Sequence, residues 1–575
     1  LFPWCHKDKY SKKVPVKTMN NKLLSQIAMR IMVAKGRKSL DHLESSAHNA
    51  MRENQALLMR ILNDNKDTEF GKSHRFADIR SVEDFRREVP MSVYEDYAPY
   101  IERMKNGETN ILTAEKILGY SRTSGSSGVP KYIPATKTSL NAYVRYTWTR
   151  ALALAADRLK EQGKAYKPGR GVYLSPATNE CLPNGVMCSN IAEIAAHHYG
   201  AVYPFILAIP DRNLFSIEDG DYIYNIYRFA LADEDVTFLF SVFFSINVSQ
   251  FAYLQENWPL IVDDIEKGTI NEGIDMKPEL RAKLLKKIRP MPKRAAYLRR
   301  QFEQGFDSTL FKRIWPNLSF LCGIGNASFK PAADYIRRFA EGIPFDYSIY
   351  GASEGLVAAC NQLDSTNMQL LTDSCFFEFI PAEALDDKTV FTLDQLKEGE
   401  KYEILITTAA GLYRYRLKDV IQVNGFRGQC PMLNFVYRKG QMFNIAGEKF
   451  SEEDARKTME MFEKAHGISV ENWIFYQDES VIPNRYCLAV ETDADLDGDG
   501  IIDEIEDYLG QCNKRYPSQR QKKFIGRLIL RKQIPGTHKE WQDKCVSQGA
   551  FIAQVKPVHS LDNEEKKDFF LSRLE

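Results

Sequence analysis

The 575-residue chain lacks the features that would place it in several broad classes. It has no C-x-x-C pair: its ten cysteines are scattered singly, without a close histidine cluster. That excludes a disulfide framework and a structural zinc site as organising elements, and fits reduced thiols in a cytoplasm. It has no long apolar run. The longest, "VTFLFSVFFSI" from Val236 to Ile246, is about half of the roughly 20 residues a membrane-crossing helix needs, so it reads as a core strand or helix. It has no charge excess, since 77 Lys and Arg face 76 Asp and Glu. No nucleic-acid or anionic-membrane partner is expected from that balance, and any phosphate binding must be local. There is no fixed-period repeat and no apolar h-region behind the first lysines.

Length alone predicts two or more folding units. Residues 1–18 precede Met19 and read as an N-terminal extension or an expression remnant. Helical spacing of Leu23, Leu24, Ile27 and Ile31 predicts a helical opening over 20–64. Beyond it, short apolar runs such as "GVYLSP", "LSFLCGIG", "YEILITTA" and "YCLAVET" alternate with helical stretches. This is the pattern of α/β or mixed α+β layers. Gly440 and Gly447 bracket a short apolar piece, and Ser451 with Asp454 three residues on predicts a helix start. A hinge is therefore placed at 438–440, giving a large unit at 19–438 and a small α/β unit at 439–575.

Tyr120 to Thr136, "YSRTSGSSGVPKYIPAT", is rich in Gly and Ser and holds Lys131. Such a stretch exposes backbone N–H and hydroxyl groups with little bulk, which suits a phosphate; a surface turn is the alternative. "YGASEG" (Tyr350–Gly355) sets Glu354 after three small residues, where a carboxylate can reach an ion unobstructed. A helix-start carboxylate is the alternative there. In "GLYRYRLKDV", strand periodicity places Tyr413, Tyr415, Leu417 and Asp419 on one face and Arg414, Arg416 and Lys418 on the other. Asp419 is thus a carboxylate on the more apolar face and needs partners.

These three stretches, in this order and followed by Arg438, resemble the signatures of the adenylate-forming superfamily. "DTEFGKSHRF", "VPMSVYEDYAPYIERMKNGETNILT", "IEKGTI", "GEKFSEEDARK", "PGTHKEW" and "AQVKP" resemble segments of the acyl acid amido synthetases of the auxin-responsive Gretchen Hagen 3 type. That family has plant and bacterial members, and this chain is read as a bacterial-type one. The resemblance runs from about residue 20 almost to the end. It implies a large adenylate-forming domain with sheets flanked by helices, and a small mobile C-terminal domain. It also implies ATP and Mg²⁺ as cofactors, a small carboxylic acid and an amine, in particular an amino acid, as substrates, and no membrane or nucleic-acid partner.

By the same resemblance, Ser124, Gly125, Ser126, Ser127, Gly128 and Lys131 contact the phosphates of ATP. Tyr350, Gly351, Ala352 and Ser353 border the adenine and α-phosphate, Asp419 holds the ribose, and Arg438 and Lys449 complete the nucleotide site. Glu354 is the metal-associated catalytic glutamate and Lys556 the catalytic lysine of the small domain. Lys131 also reads as a plain surface lysine. Lys418 stands where the family usually has glycine, which leaves the ribose geometry open. Two rival readings remain: an acyl-CoA ligase with a thiol acceptor, and a nucleotide-binding protein without turnover. The acyl pocket is expected to draw on 174–193 and 241–247; the oligomeric state is not legible.

Two other motifs are weighed and set lower. "DADLDGDGIIDE" (Asp493–Glu504) has calcium-loop spacing, but Gly500 replaces an apolar residue and a strand precedes it. It reads as an acidic strand-to-helix loop capping the next helix. His197 and His198 are adjacent on a predicted helix, about 100° apart, and make a poor joint metal site.

Overall fold

The computed structural model describes residues 21–547 and 558–575, apart from 125–129, 176–179, 211–219, 326–328, 348, 383, 385–388, 440–442, 469, 471, 493, 495, 497 and 562–563. The chain is a mixed α/β protein with four sheets. The apolar run at 236–246 becomes the strand Val236–Phe243, which passes directly into the helix Phe244–Lys267. That strand lies second in a four-stranded parallel sheet, between Arg170–Tyr173 and Phe320–Ile324, with Phe345–Asp346 at the far edge. Its buried residues run without polar alternation, as expected for a strand covered on both faces.

A seven-stranded antiparallel sheet carries the next part of the chain. Its order runs from Phe376–Pro381 through Lys401–Thr407, Tyr415–Arg427, Cys430–Arg438, Met368–Leu370 and Leu356–Cys360 to Ile349–Gly351. The link between the two sheets is pinned from below. Arg150, on the helix Trp148–Glu161, donates from Nη2 to both oxygens of Asp346 at 2.9 Å, and both side chains are fully buried. Arg150 also donates to the carbonyl of Cys360. An ion pair of this kind fixes an arrangement more than it adds net stability; here it fixes the start of the hairpin that carries Glu354.

The helical opening is present, as Asn21–Asn65 with a non-helical residue at Asn49. Its expected apolar face is not the buried one. Leu23, Leu24, Ile27 and Ile31 are all exposed, whereas Met29, Met32 and Val33 pack inward. Helical periodicity was read correctly, but the face that meets the protein was set by tertiary contacts with the helix Trp148–Glu161.

A separate apolar cluster from Ile445 to Leu528 surrounds a three-stranded sheet of Asn472–Asp478, Arg485–Glu491 and Ile529–Lys532. Ser451 caps the helix Glu452–His466 in a reciprocal box: Asp454 N donates to Ser451 Oγ at 3.1 Å and Ser451 N to Asp454 Oδ2 at 3.0 Å. The strand Arg485–Glu491 precedes the acidic loop and the helix Asp499–Cys512 follows it. Gly498 occupies the N-cap of that helix, and Asp493, Asp495 and Asp497 of the acidic loop lie outside the described residues. Glu504 pairs with His466 at 2.7 Å and Asp503 with Arg527 at 2.8 Å.

Candidate active site

The Gly/Ser stretch is flanked by two strands that pair antiparallel. Ile117–Ser124 runs up to it and Pro130–Thr136 runs away, with Thr123 opposite Lys131 and Ser124 opposite Pro130. Ser124 ends the first strand; Gly125, Ser126, Ser127 and Gly128 lie outside the described residues. Lys131 is not a plain surface lysine. It is half-buried over the ring of Tyr94, 5.3 Å from the centroid, and burial lowers its pKa while the nearby Glu354 acts to raise it.

Glu354 sits in the tight turn between Ile349–Gly351 and Leu356–Cys360. Ala352 N donates to Gly355 O at 2.9 Å, and Gly355 N to Ala352 O at 3.2 Å. The helix-start alternative for Glu354 is thereby removed. Gly355 is required by packing, since a Cβ there would meet Cys375 Sγ at 2.7 Å. The carboxylate is buried, and Tyr415 donates its hydroxyl to Oε1 at 3.2 Å.

The long strand Tyr415–Arg427 faces as periodicity predicts at Tyr415, Leu417 and Asp419, all buried. The opposite face differs from expectation at its start. Arg414 is buried, with φ at +47°, and donates from Nε to Glu378 Oε2 at 2.9 Å. Arg416 shares Glu403 with Lys439, each at 2.8 Å, and only Lys418 is fully exposed. Lys418 has φ at +62°, which is the reason glycine suits this position. The lysine accepts the strained backbone and points outward, so Asp419 keeps its place.

Asp419 lies directly across the hairpin from Arg438. Its Oδ2 accepts from the Tyr350 hydroxyl at 2.8 Å. Its Oδ1 is 3.5 Å from Arg438 Nε, outside hydrogen-bonding geometry, and is buried with no hydrogen-bond partner among the described residues. Burial raises the Asp419 pKa; Arg438 and the Tyr350 hydrogen bond act to lower it without cancelling the effect. A buried acceptor in that condition calls for a donor from a ligand. Tyr350, expected to offer a face for stacking, is buried edge-on against Phe435 and spends its hydroxyl on Asp419. Gly351, Ala352 and Ser353 continue from it around the Glu354 turn.

Lys449 approaches these groups from a loop that Glu448 braces by hydrogen bonds. Glu448 folds back to accept from Ile445 N at 2.6 Å and Ala446 N at 2.7 Å, and the Tyr486 hydroxyl also donates to it. Gly447 and Lys449 both have positive φ, +88° and +55°. Burial pushes the Lys449 ammonium down to about 8, with Arg438 adding to the effect and Glu354 opposing it. Lys131, Glu354, Asp419, Arg438 and Lys449 are thus brought together from five separate segments. Lys556 lies outside the described residues.

Behind Glu354 a cavity is lined by Tyr143, Ile191, Ala352, Asp373, Cys375 and Thr408. Tyr143 also lines a second, aromatic cavity with Tyr173, Tyr203, Phe238 and Phe240. Of the stretches expected to form an acyl pocket, 174–193 contributes Ile191 and Ala192 to these walls. Sequence reading missed the three tyrosines, which look like core residues until the cavity is seen. No group of three or more metal-ligating side chains occurs among the described residues. For Mg²⁺ the residues fit a mode in which one carboxylate, Glu354, shares the ion with substrate phosphates.

The mixed α/β framework and the relatives it matches place the chain in the class of acid-activating amido synthetases. The fold agrees: a solved acyl acid amido synthetase in complex with 2,4-DB aligns with TM-score 0.63 at 23% identity, over 94% of this chain and 96% of its own. A second solved acyl acid amido synthetase gives TM-score 0.61 at 22% identity, covering 93% and 96%. The chain belongs to the GH3 family: the N-terminal domain model matches 39–345, the central domain 368–438 and the C-terminal domain 453–565. It is similar to a probable indole-3-acetic acid-amido synthetase of Arabidopsis thaliana, 27% identical over 91% of each chain. It is also similar to a jasmonoyl-L-amino acid synthetase of Oryza sativa subsp. japonica, 26% identical over 92% of this chain and 95% of the relative. These relatives are plant proteins and lend no support to the bacterial-type expectation.

Proposed function

We propose that the protein is an acid–amino acid ligase that activates a small carboxylic acid with ATP and Mg²⁺ and passes the acyl group to an amino acid. The observation that carries this reading is Asp419: a buried carboxylate between Tyr350 and Arg438, with Oδ1 left over for a ribose hydroxyl. In the first step a carboxylate oxygen of the acid bonds to the α-phosphorus of ATP, and the bond to pyrophosphate breaks with its electron pair. Two anions must meet, so positive charge has to be in place beforehand. Lys131, Arg438 and Lys449 supply it from three directions. Glu354 would hold a Mg²⁺ shared with the phosphates, and the ion would neutralise charge developing on them.

In the second step the amine nitrogen bonds to the activated carbonyl carbon, AMP leaves with the pair from the acyl C–O bond, and nitrogen-bound protons pass to solvent. Residues 19–438 would supply the acid and nucleotide sites, and a small unit at 439–575 would move about a hinge at 438–440 between the two steps. Lys556 would reach the reacting carboxylate and phosphate only in the first arrangement. A cytoplasmic setting fits the free thiols.

The test is ATP–pyrophosphate exchange with a panel of acids including indole-3-acetic acid, jasmonic acid and 2,4-DB, followed by mass detection of product with amino acids or coenzyme A. Exchange with an acid and an amide product are expected. A thioester as the sole product would replace the acceptor, and ATP binding without exchange for any acid would remove the enzyme reading.

A further inference from the structure

The braced loop that presents Lys449 is held from beneath by a short helix, Tyr516–Gln521, and the residues that hold it carry more charge than holding requires. Arg515, which precedes that helix, donates from Nη1 to Gly447 O at 2.9 Å, and among the described residues no carboxylate forms an ion pair with it. Glu448, the acid whose charge acts on it, already accepts from two backbone amides and from Tyr486. Burial lowers the Arg515 pKa, and the positive charge of Arg122 acts in the same direction. Arg122 lies on the strand Ile117–Ser124 at the foot of the phosphate hairpin, where its exposed side chain meets Glu180 at 2.6 Å. Lys522, half-buried on the same side, feels Arg515 as a like charge, as does Lys449. A half-buried guanidinium that feels a like charge from Arg122, with Glu448 acting against it, is stabilised when an anion enters.

One turn beyond Arg515, Gln519 donates from Nε2 to Ala446 O at 2.7 Å, and its own Oε1 is buried with no hydrogen-bond partner among the described residues. A cation fork and an unused amide acceptor therefore stand on one face, against one loop, beside the lysine that faces the nucleotide site. The phosphate hairpin, Arg438 and Lys449 already provide for the phosphates. What still requires a site is the second substrate, which carries a carboxylate and an ammonium on neighbouring atoms. We infer that Arg515, supported by Arg122, binds the carboxylate of the acceptor amino acid, and that Gln519 Oε1 accepts a hydrogen bond from its ammonium. This rests on the amide-forming reading above and assigns the acceptor subsite within it. Arginine suits the task because its planar fork matches a carboxylate through two parallel hydrogen bonds.

The experiment compares full-length wild type with Arg515→Gln and Arg515→Lys, using an acid that supports exchange in wild type. Acceptors are supplied in pairs that differ only by the carboxylate: L-leucine with isoamylamine, L-phenylalanine with phenethylamine, L-alanine with ethylamine. For Arg515→Gln the KM of each amino acid should rise about 10- to 100-fold, the scale of a lost charge-assisted pair. The KM of each plain amine should move less than about threefold, and the advantage of amino acid over amine should collapse. Arg515→Lys should fall between, because charge is kept and the fork is lost. ATP–pyrophosphate exchange in both variants reports folding and the first step. Equal loss in exchange and in amide formation would assign Arg515 to the phosphates instead and overturn the inference. Unchanged amino acid KM with normal exchange would overturn it as well. Absence of amide product in wild type with every amino acid overturns the functional reading on which it stands, and is seen before any variant is compared.

Discussion

Asp419 offers a direct test of the nucleotide site, through replacement by asparagine. Asparagine keeps the shape and keeps an acceptor for the Tyr350 hydroxyl, now 2.8 Å from Oδ2. Alanine would leave that buried hydroxyl unpaired, at about 1–3 kcal/mol, and confuse folding with binding. Arg438 stays in place in the variant, because its Nη2 donates to Leu417 O at 2.9 Å. What disappears is the charge on an acceptor that is buried without a partner among the described residues. If that acceptor takes ribose hydroxyls, the lost charge-assisted bonds are worth about 1–3 kcal/mol, or roughly 5- to 150-fold in the KM for ATP.

The assay is pyrophosphate exchange with ATP and with 2′,3′-dideoxy-ATP in wild type and Asp419→Asn. The four KM values form a cycle in which the coupling between carboxylate and hydroxyls is isolated. Wild type should lose 5- to 150-fold on going to the dideoxy nucleotide, about the same as it loses on mutation. The variant should lose little more when the hydroxyls are removed. Full additivity, with the variant as sensitive to the missing hydroxyls as wild type, would falsify the assignment of Asp419 to the ribose.

Other outcomes follow from the same geometry. Glu354→Gln should keep its place in the hairpin turn yet slow exchange by about 10²-fold and raise the Mg²⁺ requirement, since an amide is a weaker ligand for a hard cation; wild-type exchange at all Mg²⁺ concentrations would refute this. Burial lowers the Lys449 pKa to about 8, and bound phosphates would favour its charged form. ATP affinity measured calorimetrically should therefore be flat below about pH 7 and fall up to tenfold per pH unit above 8. Lys449→Arg should remove that fall; a wild-type profile flat to pH 9.5 would show that Lys449 does not meet the phosphates. Lys418→Gly relieves a left-handed lysine worth about 1–2 kcal/mol, offset by about 0.5–1 kcal/mol of glycine's chain entropy. It should raise Tm slightly and change the ATP KM by less than about threefold, whereas a larger KM change in a titration would mean that the Lys418 side chain takes part in nucleotide binding.

Much of the site was legible because its parts are local devices. A run of small residues between two strands, a glutamate after glycine, alanine and serine, and a carboxylate on the buried side of a strand each need particular residues at particular spacings. Those needs leave a mark in the sequence. Ser451 with Asp454 is another such device, and the reciprocal cap is formed as the spacing predicts. Periodicity along the strand placed Tyr415, Leu417 and Asp419 together, but could not foresee that Arg414 would be buried on Glu378, a residue far away in the chain.

What the sequence by itself determined, then, is the set of chemical groups and the short backbone pieces that hold them. Only the tertiary structure decided which groups face one another. Helical spacing of Leu23, Leu24, Ile27 and Ile31 is a property of one helix, while their exposure depends on what packs against it. The pairing of Asp419 with Arg438 depends on hairpin register, and the approach of Lys449 depends on Glu448 bending its loop onto the backbone. Arg515 and Gln519 belong to no motif at all: a single arginine and a single glutamine carry no spacing signal. Their meaning comes from the charges gathered around them and from one buried oxygen without a partner among the described residues, and both are set by long-range packing rather than by neighbours in sequence.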